Sequence, residues 1–497
     1  MIKKRIVNEQ TESRQSQTGK ESNPVKIYDF AVFGGGVVGT AVLNKLTRMN
    51  KRAILLEIGE DVCTGMSKAN SAITHAGFDA QTGTLKAKLN VEGKLLLDKL
   101  CEELSVPYKH VGAIVAGNDL EKLQILKERG IKNGVPGLEV IEGERLYKLV
   151  PNLKREIKYA LYAPTSGIIN VFMLTIALAE EAVLNGADFR FSYDTKKIKY
   201  ENDFFIISDG KETICARNVV NSAGWGYNNI AKLLGVETYP LTFRRGEYYV
   251  LDREVEGYVD MTVFPLPTNL GKGILATPTT DGNILFGPTS EDCLSLEPII
   301  TKEGLKKIKS GINNMFINPP FNKAIREFAG IRVGSGEDFI IEKSKMNPKV
   351  INLCGINSPG LTAAPAIAEM VCELMNIKCK EKEMIRRKPY GFILDKTPQQ
   401  LEEMIKENPK FGNIICKCEL VSEAEILNAI HSPLKPHTLD AIKRRVRATA
   451  GHCQGGFCTL KIAKLISKEL NIPLEQVTKE TRKSYIFENK ETERERT

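Results

Sequence analysis

Val25-Lys26-Ile27-Tyr28-Asp29-Phe30-Ala31-Val32-Phe33-Gly34-Gly35-Gly36-Val37-Val38-Gly39 is an apolar run that breaks off on glycines, and its reading decides the fold. The stretch through Phe33 reads as a buried strand, Thr40-Ala41-Val42-Leu43-Asn44-Lys45-Leu46 as the helix after it, and Ala53-Ile54-Leu55-Leu56 as a second strand running into Glu57. Gly34, Gly36 and Gly39 therefore form a GxGxxG between strand and helix, with a carboxylate 21 residues after Gly36. The glycines permit a tight turn and close approach to a pyrophosphate, the helix N-terminus favours its charge, and Glu57 suits the adenosine ribose hydroxyls. A bound dinucleotide is the expectation; a structural glycine turn is the alternative. The fingerprint leaves FAD and NAD open, since both carry the same adenosine diphosphate half.

At the other end, Cys416 and Cys418 form a CxC, 34 residues intervene, and Cys453 and Cys458 form a CxxxxC. Structural zinc usually takes pairs separated by two to four residues. A two-iron cluster takes two thiolates per iron from short loops in different parts of the chain. Gly451, Gly455 and Gly456 let the backbone turn closely, and Thr459-Leu460-Lys461-Ile462-Ala463 begins a helix whose N-terminus suits an anionic cluster. Lys443, Arg444, Arg445 and Arg447 add positive potential upstream, or form a solvated face. A 2Fe-2S cluster is expected, with zinc and unliganded thiols as alternatives. Cluster and dinucleotide together outline an electron path.

Cys63, Cys101, Cys215, Cys293, Cys354, Cys372 and Cys379 show no ligand spacing and read as small buried hydrophobes. An odd total of 11 is no disulfide framework, which points to a reducing cytoplasm. Residues 1–24 are polar and read as a disordered leader, interrupted by Glu9, Glu12 and Glu21 where an organelle-targeting peptide would lack acids. No apolar stretch reaches the roughly 20 residues that span a bilayer. The chain of 497 residues, 42% hydrophobic, has room for two or three domains. A net charge of +9 without a basic stripe interleaved with aromatics speaks against nucleic acid and suits a small anionic substrate or an acidic redox partner.

Thr64-Gly65-Met66-Ser67-Lys68-Ala69-Asn70-Ser71-Ala72-Ile73-Thr74-His75-Ala76-Gly77 resembles the stretch after the second strand in the D-amino-acid-oxidase-like superfamily of FAD oxidoreductases. Ser166-Gly167-Ile168-Ile169-Asn170, Val219-Val220-Asn221-Ser222-Ala223-Gly224-Trp225 and Gly355-Ile356-Asn357-Ser358-Pro359-Gly360-Leu361-Thr362 follow in the family's order. Cys416-Lys417-Cys418-Glu419, Leu439 to Arg447 and His452-Cys453-Gln454-Gly455-Gly456-Phe457-Cys458 look like the bacterioferritin-associated-ferredoxin-like 2Fe-2S domain. That domain is fused in this manner to anaerobic-type glycerol-3-phosphate dehydrogenases and their relatives. The resemblance runs from about Ile27 to Leu470 and implies FAD, held by Ser67 and Gly224, and by Gly355, Gly360, Leu361 and Thr362 at the pyrimidine end of the flavin.

It also implies an architecture: an α/β Rossmann-like FAD domain, an inserted α+β antiparallel-sheet substrate domain and a small helical 2Fe-2S domain. The expected division is a leader at 1–24 and an oxidoreductase domain at 25–380. Within that domain the FAD-binding parts fall at about 25–85, 145–235 and 325–380, and the substrate parts at about 86–144 and 236–324. A linker at 381–410, the cluster domain at 411–475 and a charged tail at 476–497 complete it.

Arg332 stands at the arginine of the family's GxR motif, where it implies a hold on the substrate's carboxylate or phosphate; Val333 replaces the usual proline. His75 is the candidate base, substrate-orienting group or point of covalent flavin attachment, against a packing histidine. Arg245 is a candidate substrate cation, against a charged strand edge. Lys68-Ala69-Asn70 stands where glycerol-3-phosphate dehydrogenases tend to carry an arginine-bearing pair. The expected reaction is oxidation of a small anionic secondary alcohol by hydride transfer to FAD, with electrons passed through the cluster to an acceptor protein or quinone-linked subunit. Alternatives are an L-2-hydroxy acid such as a 2-hydroxyglutarate, an amino acid, an oxidase passing electrons to oxygen, and a non-catalytic electron-transfer subunit. The expected location is cytoplasmic, peripheral at the membrane only through a partner.

Overall fold

The computed structural model describes residues 26–267 and 273–488; the leader lies outside them, as does the tail after 488. Ile27–Phe33 is the centre of the first sheet, paired in parallel with Ala53–Leu56 on one side and with Thr213–Asn221 on the other. Val350–Cys354 extends the parallel order beyond Thr213–Asn221, while Phe204–Ser208 and Lys197–Glu201 add an antiparallel edge. A strand covered on both faces must be apolar on both, which is why Ile27–Phe33 reads as a near-continuous run rather than an alternation. On one face Val42, Leu43 and Leu46 of the fingerprint helix pack with Leu89 and Leu97 of helix Leu85–Leu104 and Ile367 and Val371 of helix Gly360–Leu374. Phe205, Tyr227 and Ala231 seal the other.

The second sheet has nine strands, dominated by the pairing of Thr242–Leu251 with Ala324–Gly334. It is antiparallel except where Thr262–Pro265 lies parallel to Ala113–Gly117. Helix Lys302–Met315 covers it by burying Gly304, Ile308, Ile312 and Met315, one face at helical spacing, against Val263, Ile284 and Phe286.

Three segments lie elsewhere than the sequence division puts them. Tyr159–Ala163 and Ala324–Gly334, read as nucleotide-binding, are strands of the substrate sheet. Helix Leu85–Leu104, read as substrate domain, packs in the nucleotide core. The supposed linker at 381–410 is partly built in: Tyr390 and Ile393 are buried, and helix Pro398–Glu407 begins with a capping box between Thr397 and Gln400. Hydrophobic pattern reports that a segment is buried, not against which sheet.

The C-terminal unit is a short hairpin, Ile414–Cys416 with Val421–Ser422, and three helices, Glu423–Ile430, Leu439–Val446 and Thr459–Leu470. Its Ile426, Ile430, Ile442 and Ile462 are continuous with the nucleotide core. No helix among the described residues is long and apolar enough to cross a membrane.

Candidate active site and cysteine centre

Gly34 adopts φ +99°, the left-handed region that a side chain disfavours. At Gly39 an added Cβ would stand 2.0 Å from the Gly34 carbonyl oxygen, so strand and helix approach as closely as the fingerprint requires. Gly36 caps helix Val37–Arg48 without a side-chain bond, which leaves the helix N-terminus available to an anion. The Val37 N–H donates to Ser67 Oγ at 2.9 Å, placing that hydroxyl where a pyrophosphate would lie. Glu57 accepts from the N–H groups of Gly35 and Gly59. Burial pushes its carboxyl above the usual range, opposed by those two donors. These residues fit the adenosine diphosphate half of FAD. Gly39→Ala is expected to yield protein without flavin, read as the ratio of flavin to protein absorbance, because the clash is backbone against backbone.

From Gly36, Gly39 and Ser67 one continuous cavity of about 730 Å³ runs past Gly224, Gly355, Gly360 and Leu361 to His75, Tyr248 and Arg332. This is the path of a nucleotide ending beside a reaction chamber. One other candidate acts from behind its wall. Thr362 is buried and its hydroxyl accepts the His75 backbone N–H at 3.0 Å, so it positions the histidine. The Asn90 amide fixes the His75 carbonyl at 3.0 Å, and His75 Nε2 lies 3.2 Å from the Ser358 hydroxyl.

Arg332 lines the cavity, and its side chain has no hydrogen bond or ion pair among the described residues. Directly across the strand pair stands Arg244, which the sequence reading passed over for its neighbour. Arg244, Gly246 and Tyr248 share the cavity face, whereas Arg245 lies on the opposite face, bonded to the fully buried Glu247. Successive strand residues point to opposite faces, so it is Arg244, and not Arg245 as expected, that faces the chamber. The signal was present: Glu247, two residues on, shares the face of Arg245. Arg244 Nε is held 2.7 Å from Asp292 at the cavity mouth, and Lys307 stands on the same rim beside Glu291 at 2.6 Å. Tyr248, kept protonated by burial, meets the Ser71 hydroxyl at 3.2 Å.

In the C-terminal unit the Cys416 thiol faces Cys458 and the Cys418 thiol faces Cys453. Among the described residues no three ligating side chains close around a single point. Two thiolate pairs suit the two irons of a 2Fe-2S cluster better than the tetrahedral shell of one zinc. Arg444 and Arg445, read as potential around the cluster, instead point the other way. Arg445 grips Asp61 bidentately at 2.7 and 3.0 Å, and Arg444 reaches Asp61 at 3.2 Å and Glu480 at 3.0 Å. Nearer the centre, the Arg253 guanidinium donates to the Cys418 carbonyl and Arg326 to the side chain of Gln454. Of the unspaced thiols, Cys63 is pushed up to about 11 and Cys101 and Cys372 to about 12 by burial, so they are inert packing groups.

A dinucleotide cleft ending in a cation-lined chamber, joined to a paired-thiolate centre, defines a flavin-dependent oxidoreductase with an iron-sulfur relay. The family follows: residues 29–374 match the model of the FAD dependent oxidoreductases, and the chain belongs to that family. Residues 414–468 match the BFD-like [2Fe-2S] binding domain. A glycerol 3-phosphate dehydrogenase of Caloramator mitchellensis is 40% identical over 93% of this chain and 98% of its own length. A glycerol 3-phosphate oxidase of Mycoplasma genitalium is 31% identical over 71% of this chain and 96% of its own. Among solved structures, the dithionite-reduced, FAD-bound L-alpha-glycerophosphate oxidase of Mycoplasma pneumoniae superposes with a TM-score of 0.68 at 29% identity, covering 73% of this chain and 97% of that one.

Proposed function

We propose that this enzyme is a glycerol-3-phosphate dehydrogenase that delivers electrons through its 2Fe-2S domain to a separate acceptor. The observation that carries the substrate is the cross-strand pair Arg244–Arg332. Directly opposed residues of an antiparallel pair lie about 5 Å apart, where like charges repel unless an anion sits between them. A single carboxylate needs one guanidinium; a phosphate dianion suits two, and the Arg332 side chain has none of its donors committed. This favours glycerol 3-phosphate over an L-2-hydroxy acid or an amino acid, with Arg244 taking up the role of the missing arginine-bearing pair at Lys68-Ala69-Asn70.

Bound FAD supplies the hydride acceptor. The chain supplies the rest. Arg332 and Arg244 fix the phosphate, which sets the distance from the anion to the secondary carbon. His75, held by Thr362 and Asn90, accepts the hydroxyl proton, and Ser358 orients its ring. Phe264 and Tyr248 wall the chamber with apolar surface against water.

Electrons have a short way out. The strand Ala324–Gly334 carries Arg332 and Gly330 on the cavity and Arg326 against Gln454, within the Cys453–Cys458 loop. Four residues of strand from Gly330 to Arg326 span about 13 Å. The glycerol 3-phosphate dehydrogenase relative matches 93% of this chain, enough to take in the cluster unit, whereas the glycerol 3-phosphate oxidase relative matches 71%. That contrast supports an acceptor protein or quinone-linked subunit in place of oxygen. The thiols, all free among the described residues, suit a cytoplasmic enzyme that meets a membrane only through its partner.

Anaerobic titration with sn-glycerol 3-phosphate, following flavin and iron-sulfur absorbance together, is expected to bleach the flavin and then the cluster. Bleaching by L-2-hydroxyglutarate and not by glycerol 3-phosphate would overturn the substrate; rapid hydrogen peroxide release in air would overturn the separate acceptor.

A further inference from the structure

Electrons that reach the cysteine centre must leave through a surface, and the last helix shows which one. Thr459–Leu470 buries Ile462, Ala463 and Ile466, and this turns Lys461, Lys464 and Lys468 outward as one stripe on the opposite side. Lys417, between two of the ligand cysteines, is also exposed. None of these four lysines has an ion pair or hydrogen bond through its side chain among the described residues. Four acids of the same unit are engaged elsewhere: Glu419 with Arg447, Glu423 with Asn413, Glu425 with Ser422 and Glu469 with His431. The patch therefore keeps its positive charge. At its apex, directly before Cys458, Phe457 is 84% exposed, flanked by the exposed Leu460. An aromatic left in water beside a redox centre, ringed by unpaired cations, has the make-up of an interface core with its rim.

We propose that Phe457, Lys417, Lys461 and Lys464 form the docking face for an acidic one-electron carrier protein. This rests on the reading that electrons exit through the cluster. A bilayer or a nucleic acid would meet the positive charge but accepts no electron, so position beside the centre selects a redox protein. The centre passes one electron at a time. Each oxidised substrate molecule releases two electrons and two protons, so two carriers each gain one electron in successive encounters, and the protons go to solvent. Opposite charge accelerates such encounters and salt slows them.

The test uses holoenzyme reduced with dithionite and freed of excess reductant, which makes it independent of the substrate. An acidic plastocyanin and the basic cytochrome c serve as one-electron acceptors in stopped flow, and the affinity of oxidised enzyme for oxidised plastocyanin is measured by calorimetry. The expected result is a plastocyanin rate and affinity that fall about tenfold or more with added salt, and again in a Lys461→Glu, Lys464→Glu variant. Cytochrome c should be unaffected or faster in that variant. A Lys197→Glu, Lys211→Glu variant, the same charge change at the outer edge of the nucleotide sheet, should behave as wild type. Salt-independent plastocyanin binding, or equal loss in both variants, would overturn the docking face. If a Cys453→Ser variant without cluster reduces plastocyanin at the wild-type rate, the exit through the cluster fails, and the face with it.

Discussion

Arg332→Met is expected to lower kcat/KM for glycerol 3-phosphate by about 10²–10³-fold, mostly through KM, while flavin content stays at the wild-type level. The size follows from losing a two-pronged charge-assisted contact, about 3–4 kcal/mol, at 1.4 kcal/mol per factor of ten. Methionine keeps much of the bulk, so the chamber stays filled, and Arg332 stands in the reaction chamber, not at the fingerprint, so FAD is retained. Arg244→Met should cost less, about tenfold, because that guanidinium lies at the mouth and already shares Asp292. Arg245→Met should leave KM unchanged and lower the melting temperature, since its partner Glu247 is fully buried and bonded to the N-terminus of helix Lys302–Met315. Steady-state kinetics and thermal melts on the three variants check the pattern. An unchanged KM in Arg332→Met would remove that residue from the substrate site, and a raised KM in Arg245→Met would return it there.

The contrast between Arg244 and Arg245 shows where sequence reading stops. The strand–turn–helix of the fingerprint and the C-terminal BFD-like domain were legible because their signals, a glycine turn and closely spaced cysteines, are local, whereas the facing of Cys416 with Cys458 and of Cys418 with Cys453 joins distant parts of the chain. That Arg332 lines the cavity was suggested only by resemblance to a motif. Which of two adjacent arginines faces the chamber depends on strand parity, set by pairing with a strand some 80 residues away, and no local pattern states it. Thr362, expected at the pyrimidine end of the flavin, instead accepts the His75 backbone N–H, and no local pattern could name that partner because it is 287 residues distant in sequence. Arg444 and Arg445 misled for the opposite reason. A run of cations reads as solvated by default, and only the fold reveals that Asp61 lies buried beneath it.

That buried contact yields the second large effect. Arg445→Ala is expected to destabilise the protein by about 3–5 kcal/mol and to raise the FAD dissociation constant at least about tenfold, although Arg445 touches no nucleotide. Asp61 sits four residues after Glu57, the carboxylate expected at the adenosine ribose, and is 1% exposed. With the guanidinium gone, its charge stays buried with only Arg444 to meet it, at 3.2 Å. Relief comes from letting water into the seam between cluster unit and nucleotide sheet, which loosens the loop that presents Glu57. Cys453→Ser removes a cluster ligand without touching this seam, so it should lose the iron-sulfur spectrum and keep the flavin. A double change, Asp61→Leu with Arg445→Met, should recover much of the stability, since apolar groups of similar bulk can replace a buried pair. The pH dependence has a definite sign. Burial raises the carboxyl of Asp61, but Arg445 and Arg444 outweigh it and hold the group below the usual range. Its contribution is therefore fully present above the unfolded-state value of about 3.9 and is lost only as pH falls towards the lower folded value. The Asp61 contact should accordingly add no pH dependence to wild-type flavin release, followed by fluorescence, from neutrality down to about pH 4, and Arg445→Ala should release flavin even at neutral pH. Retention of FAD in Arg445→Ala at wild-type affinity would show that the two units are fastened together without being coupled through the ribose loop.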